Sequence, residues 1–481
     1  MVSEIEMKVI RNYLYNVGYQ VLAIIVPLIT SAYVSRVLRP EGVGANAFTN
    51  SIIQYFILFA SMGIGYYGNR QIAYVRDNRT KMAKTFWEIQ IVKTIMTLVS
   101  IIAFEIFLIF YTRQFDYMLA QSLNLIAVAF DISWFYEGVE NFKVTVLKNS
   151  LVKIVSMIAI FLFIKGPNDV TLYIVVLALS TLLGNLTLWP DIYRDLPKVR
   201  IKRLNPWIHF LPMAELFIPQ IATQVYVQLN RTMLGVMVNE TASGYYQYSD
   251  NLVKLILALV TATGTVMLPH VANAVSHGDM KKVNQMLYKS FDFVSAVAVP
   301  MMFGLAAISL TLAPKYYGPG YDPVGPAMMI ESIVILMIAW SNALGVQYLL
   351  PIHHQKQFTI SVTVGAVVNI ILNFPLIHFY GLNGAMWSTV LSEISVTLYQ
   401  LIAVRGLLSY RTLFNSLWKY LVSGVVMFLP VFWMNTHLKD SWLMMGFEVI
   451  VGIIIYTIMM LVLRAPIVGE AKKLVRERLG K

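Results

Sequence analysis

Apolar residues run in blocks of roughly 20 along this chain, each long enough at about 1.5 Å per residue to cross some 30 Å of hydrocarbon as a helix. Charge clusters and Gly, Pro, Asn and Asp turns separate fourteen such blocks, at 12–35, 44–68, 88–111, 117–138, 145–164, 170–190, 208–237, 244–270, 286–312, 325–350, 357–378, 382–404, 415–436 and 441–463. The first is expected to be a retained helix: it is too long for a signal peptide, begins among tyrosines and Asn16, and lacks a small-x-small cleavage site. The pattern predicts an all-α polytopic membrane protein with 14 transmembrane helices.

Polar positions inside the blocks are periodic. Asn12, Asn16 and Gln20 (helix 1), Asn46, Asn50 and Gln54 (helix 2), Gln220, Gln224 and Gln228 (helix 7), and Tyr246, Asp250 and Lys254 (helix 8) recur at i, i+4 and i+8, which is one helix face. Such a face either hydrogen-bonds to another helix or lines a hydrated cavity. Charges add to the pattern, since a charge in the membrane must be paired or wetted. Asp250 and Lys254, spaced i, i+4, can offset each other as a structural pair. Arg231 and Lys254 lie deep in stripe-bearing helices and are the candidates for an anionic head group, arginine gripping phosphate bidentately and lysine acting as a point charge. Lys93 is expected to snorkel to the headgroups. Asp131 and Glu393 fall near mid-membrane, whereas Glu105, Asp292, Glu331 and Glu448 lie nearer span ends, where water can reach them. Pro27, Pro219, Pro300, Pro375, Gly63 and Gly65 sit where a helix would bend, either as static packing or as hinges.

Composition removes the alternatives. Of 481 residues 58% are hydrophobic and 13% charged, with a mean hydropathy of +0.65, against about 25% charged in soluble domains; a soluble globular protein is excluded. The absence of cysteine excludes disulfides, thiolate metal sites and a cysteine nucleophile. The net charge of +12 would suit a nucleic-acid binder, but its distribution follows topology: 28 Lys and Arg fall on the side of the N-terminus, 6 on the other side and 3 within spans. The positive-inside rule then places both termini in the cytoplasm and requires an even number of spans. No nucleic-acid partner is expected. The loops are too short for a soluble domain, and no phosphate loop, HExxH, GxSxG or EF-hand pattern occurs. The seven histidines lack ligand spacing, apart from His353 and His354 in a turn. No enzyme activity, cofactor or metal is expected.

Offset by 200 residues, the chain matches itself. Residues 36–53 fall on 236–253, pairing Leu38 with Val238, Gly44 with Gly244, Phe48 with Tyr248, Thr49 with Ser249 and Asn50 with Asp250, while Gln20 falls on Gln220. Six spans separate the copies, so both halves point the same way, as two six-helix lobes related by a pseudo-two-fold along the membrane normal with a site between them near the midplane. The expected organisation is an N-terminal lobe at 1–204, a C-terminal lobe at 205–408, and helices 13 and 14 with a basic tail at 409–481. The last two helices are nearly apolar all round and should face lipid.

The stretch from Ser35 to Gly44, SRVLRPEGVG, together with Asn16, Pro27, Phe48, Gly63 and Arg70, resembles the opening of the Wzx-type polysaccharide-transport branch of the multidrug/oligosaccharidyl-lipid/polysaccharide exporter superfamily. The usual turn of that branch, R-x-L-G-P-E-x-x-G, is matched by Arg36, Leu38, Pro40, Glu41 and Gly44; Arg39 stands in place of Gly. Pro219, NRTMLG from Asn230, GYYQYSDNL from Gly244 and LPH from Leu268 are similar to its second-half pattern, although Asn230 replaces a common acid. The resemblance implies alternating-access translocation of undecaprenyl-pyrophosphate-linked oligosaccharide units across the cytoplasmic membrane, for capsule, exopolysaccharide or O-antigen. It also implies a monomer working beside glycosyltransferases and a polysaccharide polymerase. Exchange against protons or other cations would fall to Asp250, Asp131 or Glu393. A lipid II flippase and a cation-coupled multidrug antiporter are the alternatives.

Overall fold

The computed structural model describes residues 2–200, 202 and 204–469; side chains at 2–21, 23, 142–143, 193–195, 218–220, 222–223, 225–226, 262–266 and 268–270 lie outside the description. Among the described residues the chain is helical throughout, without a β-strand. It divides into two compact units, 1–235 and 236–481. The first holds α1 (Val2–Ser61), α2 (Ile64–Val75), α3 (Arg79–Phe110), α4 (Phe115–Phe130), α5 (Ser133–Gly138), α6 (Phe142–Phe163), α7 (Val170–Leu186), α8 (Trp189–Asp195) and most of α9 (Phe210–Met237). The second holds α10 (Glu240–Ser276), α11 (Met280–Tyr317), α12 (Val324–Glu331), α13 (Ile333–Ser341), α14 (Gln355–Ala403), α15 (Tyr410–Leu413), α16 (Leu417–His437) and α17 (Trp442–Val462). The boundary by packing falls within α9, whereas the boundary expected from repetition is at 204; the two criteria measure different things.

Ten stretches among the described residues are long and apolar enough to span a membrane. Two of them, Ile24–Val75 and Gln355–Ala403, run to 52 and 49 residues, more than twice the roughly 20 that one crossing uses. Each contains a break, at Arg39 (φ 60°, ψ 173°) and at Gly381 (φ 54°, ψ −126°), and so supplies two passes. Counted so, the ten stretches supply twelve passes among the described residues, and α9 and α10 are the helices at the positions expected of the seventh and eighth spans. Arg39 precedes Pro40, whose ring drives the preceding residue out of the helical region. Its dihedrals belong to a region glycine tolerates far better, so the replacement of Gly by Arg in this turn carries strain. The 200-residue offset reappears in the backbone: Asn239 is extended and caps α10 by accepting from the Ala242 N–H at 2.9 Å.

Each unit buries its own aromatic core. In the first, Phe86 stacks on Trp134 at 5.5 Å and meets Phe135 edge-on at 5.2 Å. In the second, Tyr248 stacks on Tyr317 at 4.2 Å, Phe291 stacks on Trp340 at 5.3 Å, and the Trp340 indole donates to Ser295 Oγ at 2.9 Å. α17 shows the lipid-facing design expected of the last helix. Leu443, Phe447, Ile450, Ile453 and Ile458 are exposed, while Met445, Glu448, Gly452, Tyr456 and Met460 form one buried seam.

The turn at Gly381 is closed by a tight approach. A Cβ on Gly384 would stand 1.8 Å from the Leu376 carbonyl oxygen, and Asn373, Asn369 and Ser388 form a buried ladder beside it. Gly384→Ala is therefore expected to cost about 3 kcal/mol or more, since the obstacle is backbone. A matching fall in the monodisperse fraction on fluorescence-detected size exclusion checks this; a wild-type profile would refute the packing argument.

Candidate functional site

The fourth predicted span is broken inside the first unit. α4 stops at Phe130, Asp131 is extended, and α5 begins at Ser133. Breaking a helix in a membrane strands carbonyl groups that must find donors within the protein, and here each does. Asn185 Nδ2 donates to the Ala127 carbonyl (2.7 Å), the Asp131 N–H to Val128 (3.2 Å), Gln90 Nε2 to Ala129 (2.7 Å) and the Trp189 indole to Phe130 (2.9 Å). Lys93 Nζ donates to the Asp131 carbonyl itself. The Asp131 carboxylate accepts the Ser133 N–H at 3.0 Å and interacts with Lys93 as the opposite charge. Lys148 supports Asn185, donating to its Oδ1 at 3.0 Å.

Lys93 thus does not snorkel. It is 3% exposed, because the broken end of α4 offers its ammonium a carbonyl and a carboxylate that the headgroups would otherwise supply. Beside it lies a cavity of about 510 Å³, walled by the ends of α1 and α2 and by the α4–α5 break, with Lys93, Asp131, Glu137, Asn69 and Trp134 in its lining. A second break opens this wall, at Met62 (φ 37°) and Gly63 (φ 72°). Gly63 and Gly65 were expected to mark a bend, and the structure places it at Gly63.

The helix 2 stripe is bonded across to α4. Gln121 Nε2 donates to Asn46 Oδ1 (3.2 Å) and Thr49 Oγ1 (3.3 Å), and its Oε1 accepts from Asn50 (3.5 Å) and Asn124 (2.8 Å). Gln54 is half-buried, Gln228 buried and Gln224 exposed. The side chains of Asn12, Asn16, Gln20 and Gln220 lie outside the described residues. Arg231 is half-buried on α9. The next residue, Thr232, bonds back to α1 through Ser51 Oγ (2.9 Å) and Tyr55 OH (3.2 Å).

In the second unit Lys254 Nζ lies 2.8 Å from Asp250, the lysine side chain 51% exposed and the aspartate 7%. The i, i+4 pair read from the sequence forms, with the ammonium at a surface and the carboxylate buried. Ser249 donates to Glu331 Oε2 at 2.5 Å, and Glu331, 1% exposed, also faces Asp250 and Lys254. Glu331 was expected near water; instead it is buried within the tenth span, at the C-terminal end of α12. Glu448 is likewise buried, accepting from Asn435 Nδ2 at 2.9 Å. Glu393 is half-buried on the second half of α14.

Sequence reasoning passed over His209. It lies buried in a short turn, Pro206–His209, with Nδ1 2.7 Å from Tyr67 OH and Nε2 3.2 Å from Glu88, which also accepts the Asn205 N–H at 2.7 Å. Three partners so far apart in sequence leave no local signal. Outside the spans, the Arg76 guanidinium is 2.7 Å from Glu140 and is raised above its ordinary value by that bond. The Asp169 carboxyl is held below the usual range by the backbone N–H groups of Lys165 and Gly166.

The sequence matches the family described as polysaccharide biosynthesis protein over residues 9–275. A protein of Escherichia coli (strain K12), provisionally described as an O-antigen transporter, is 22% identical over 401 residues, covering 82% of this chain and 96% of that one. The lipid II flippase MurJ of Bacillus subtilis (strain 168) is 24% identical over 184 residues, 38% of this chain and 33% of its own. Among solved structures, lipid II flippase MurJ in an inward closed conformation shares the fold with a TM-score of 0.77 at 15% identity, covering 98% of this chain and 100% of that one. An inward-facing MATE multidrug transporter of the MOP superfamily reaches 0.62 at 12% identity, covering 79% and 94%. The fold is that of a multi-pass membrane protein.

Proposed function

The chain belongs to the polysaccharide biosynthesis protein family, as the SRVLRPEGVG turn anticipated, and from that premise we propose that it is a flippase rather than an enzyme. Its substrate is an undecaprenyl-pyrophosphate-linked oligosaccharide, carried across the cytoplasmic membrane by alternating access. The observation that carries this reading is the Lys254–Asp250 pair: an ammonium half exposed deep in a 37-residue helix, tied at 2.8 Å to a buried carboxylate. A cation facing lipid would be costly, and one facing an anionic head group is not.

The same pair suggests how transport is driven. With Asp250 ionised, Lys254 is neutralised and holds an anion weakly; a proton on Asp250 frees the ammonium for pyrophosphate. Glu331, hydrogen-bonded to Ser249 and within electrostatic reach of both, is the group through which such a proton would be shared. Asp131 and Glu393 remain further candidates for ion coupling. Arg231, on the first unit, remains the other candidate cation for an anionic head group, since a guanidinium can grip phosphate bidentately.

Deleting the gene is expected to remove surface polysaccharide and to accumulate the lipid-linked precursor in the cytoplasmic leaflet, with both effects reversed by the wild-type chain. Unchanged polysaccharide together with altered dye efflux would replace this reading with the multidrug antiporter. Rescue of a cell depleted of its lipid II flippase would replace it with the peptidoglycan-precursor reading.

A further inference from the structure

The cavity of the first unit enters the reading above only through Asp131, yet its chemistry is specific. We propose that it is a carbohydrate subsite that takes one or two sugar residues of the glycan. The inference rests on the export reading only for the source of that glycan.

The volume, about 510 Å³, is within the range of roughly 300–1,000 Å³ typical of small-molecule sites. The lining decides which molecule. Asp131 and Glu137 on one wall repel a phosphate, while Lys93 on the same wall repels a metal ion, and no group of three His, Cys, Asp or Glu that could hold a metal occurs among the described residues. An apolar compound would leave these polar groups unsatisfied. A neutral polyol satisfies both kinds, because each hydroxyl donates to a carboxylate and accepts from an amide or ammonium. Asn69 Nδ2 and Glu137 Oε2 stand 3.4 Å apart, a loose bond that a hydroxyl can bridge from both sides. Trp134, 2% exposed, contributes an aromatic ring to the lining.

Gly65 adds an independent observation. It is the second residue of α2 and lines the cavity, and a Cβ there would meet no atom within 4 Å. A larger side chain at this position therefore has room to enter the cavity without displacing a neighbour.

The test is Gly65→Leu, which obstructs the cavity without removing a polar group and replaces a helix-weakening residue by a helix former. The probe is the oligosaccharide released by mild acid from the host's own lipid-linked precursor, titrated against the full chain in lipid nanodiscs and followed by tryptophan fluorescence. Saturable binding is expected for the wild type, weakened at least about tenfold by Gly65→Leu and by Glu137→Gln. No saturable binding, or binding unchanged in Gly65→Leu, overturns the subsite. Complementation of the deletion strain runs in parallel and separates the two readings. A wild-type chain that fails to restore polysaccharide defeats the export reading, whereas restoration by the wild type with unaltered binding and export in Gly65→Leu defeats the subsite alone.

Discussion

Lys254→Ala is expected to reduce surface polysaccharide at least about thirtyfold while the protein still reaches the membrane, with Arg231→Ala close behind. Removing one partner of a desolvated charge pair costs roughly 2 kcal/mol or more in binding, and each 1.4 kcal/mol is about tenfold. The single variant also leaves Asp250, 7% exposed, without its cation, so a loss of export alone does not separate binding from stability. The double variant Lys254→Met with Asp250→Asn does. It removes both charges together, so Asp250 is not left as an unpaired buried ion. If the pair only holds α10 in shape, the double variant exports normally; if Lys254 holds the head group, it stays inactive at wild-type abundance. Quantitative immunoblotting of membranes beside a polysaccharide assay distinguishes these outcomes, and normal export in Arg231→Ala and the double variant would remove both residues from the site.

Lys93→Met should destabilise the first unit by about 2–3 kcal/mol, the cost of leaving a buried acceptor without its charged donor and a nearby carboxylate without its opposite charge. The side chain answers both the Asp131 carbonyl and its carboxylate, so methionine leaves the broken end of α4 with an unsatisfied acceptor and an uncompensated charge. Adding Asp131→Asn removes the charge and should recover part of the loss. Full recovery is not expected, because the carbonyl still lacks its donor. Thermal unfolding in detergent, followed by loss of the monodisperse peak, measures both; a Lys93→Met protein as stable as wild type would mean that the ammonium can reach the headgroups after all.

These two sites differ in how visible they are in the sequence. Asp250 and Lys254 lie four apart on one helix, so their pairing follows from helical geometry alone. Lys93 and Asp131 are 38 residues apart on different helices, and the apolar run across 117–138 gives no warning that α4 stops at Phe130. Gln121 shows the same limit. The polar stripe of Asn46 and Asn50 was legible, but the amide that takes it up sits on another helix, and spacing along either helix does not say which two faces pack together. Glu331 and His209 were misplaced or overlooked because burial is a property of the packed neighbours.

The sequence by itself determined what depends on local spacing and solvent preference. The roughly 20-residue apolar blocks set the number of passes, the Arg-Pro dipeptide set the break at 39, and the 200-residue offset set a second break at Asn239. Tertiary structure alone decided where charge is buried and how broken helices are satisfied. A stranded carbonyl takes whichever donor packs against it, and only the folded chain brings Lys93, Gln90, Trp189 and Asn185 to the same helix end.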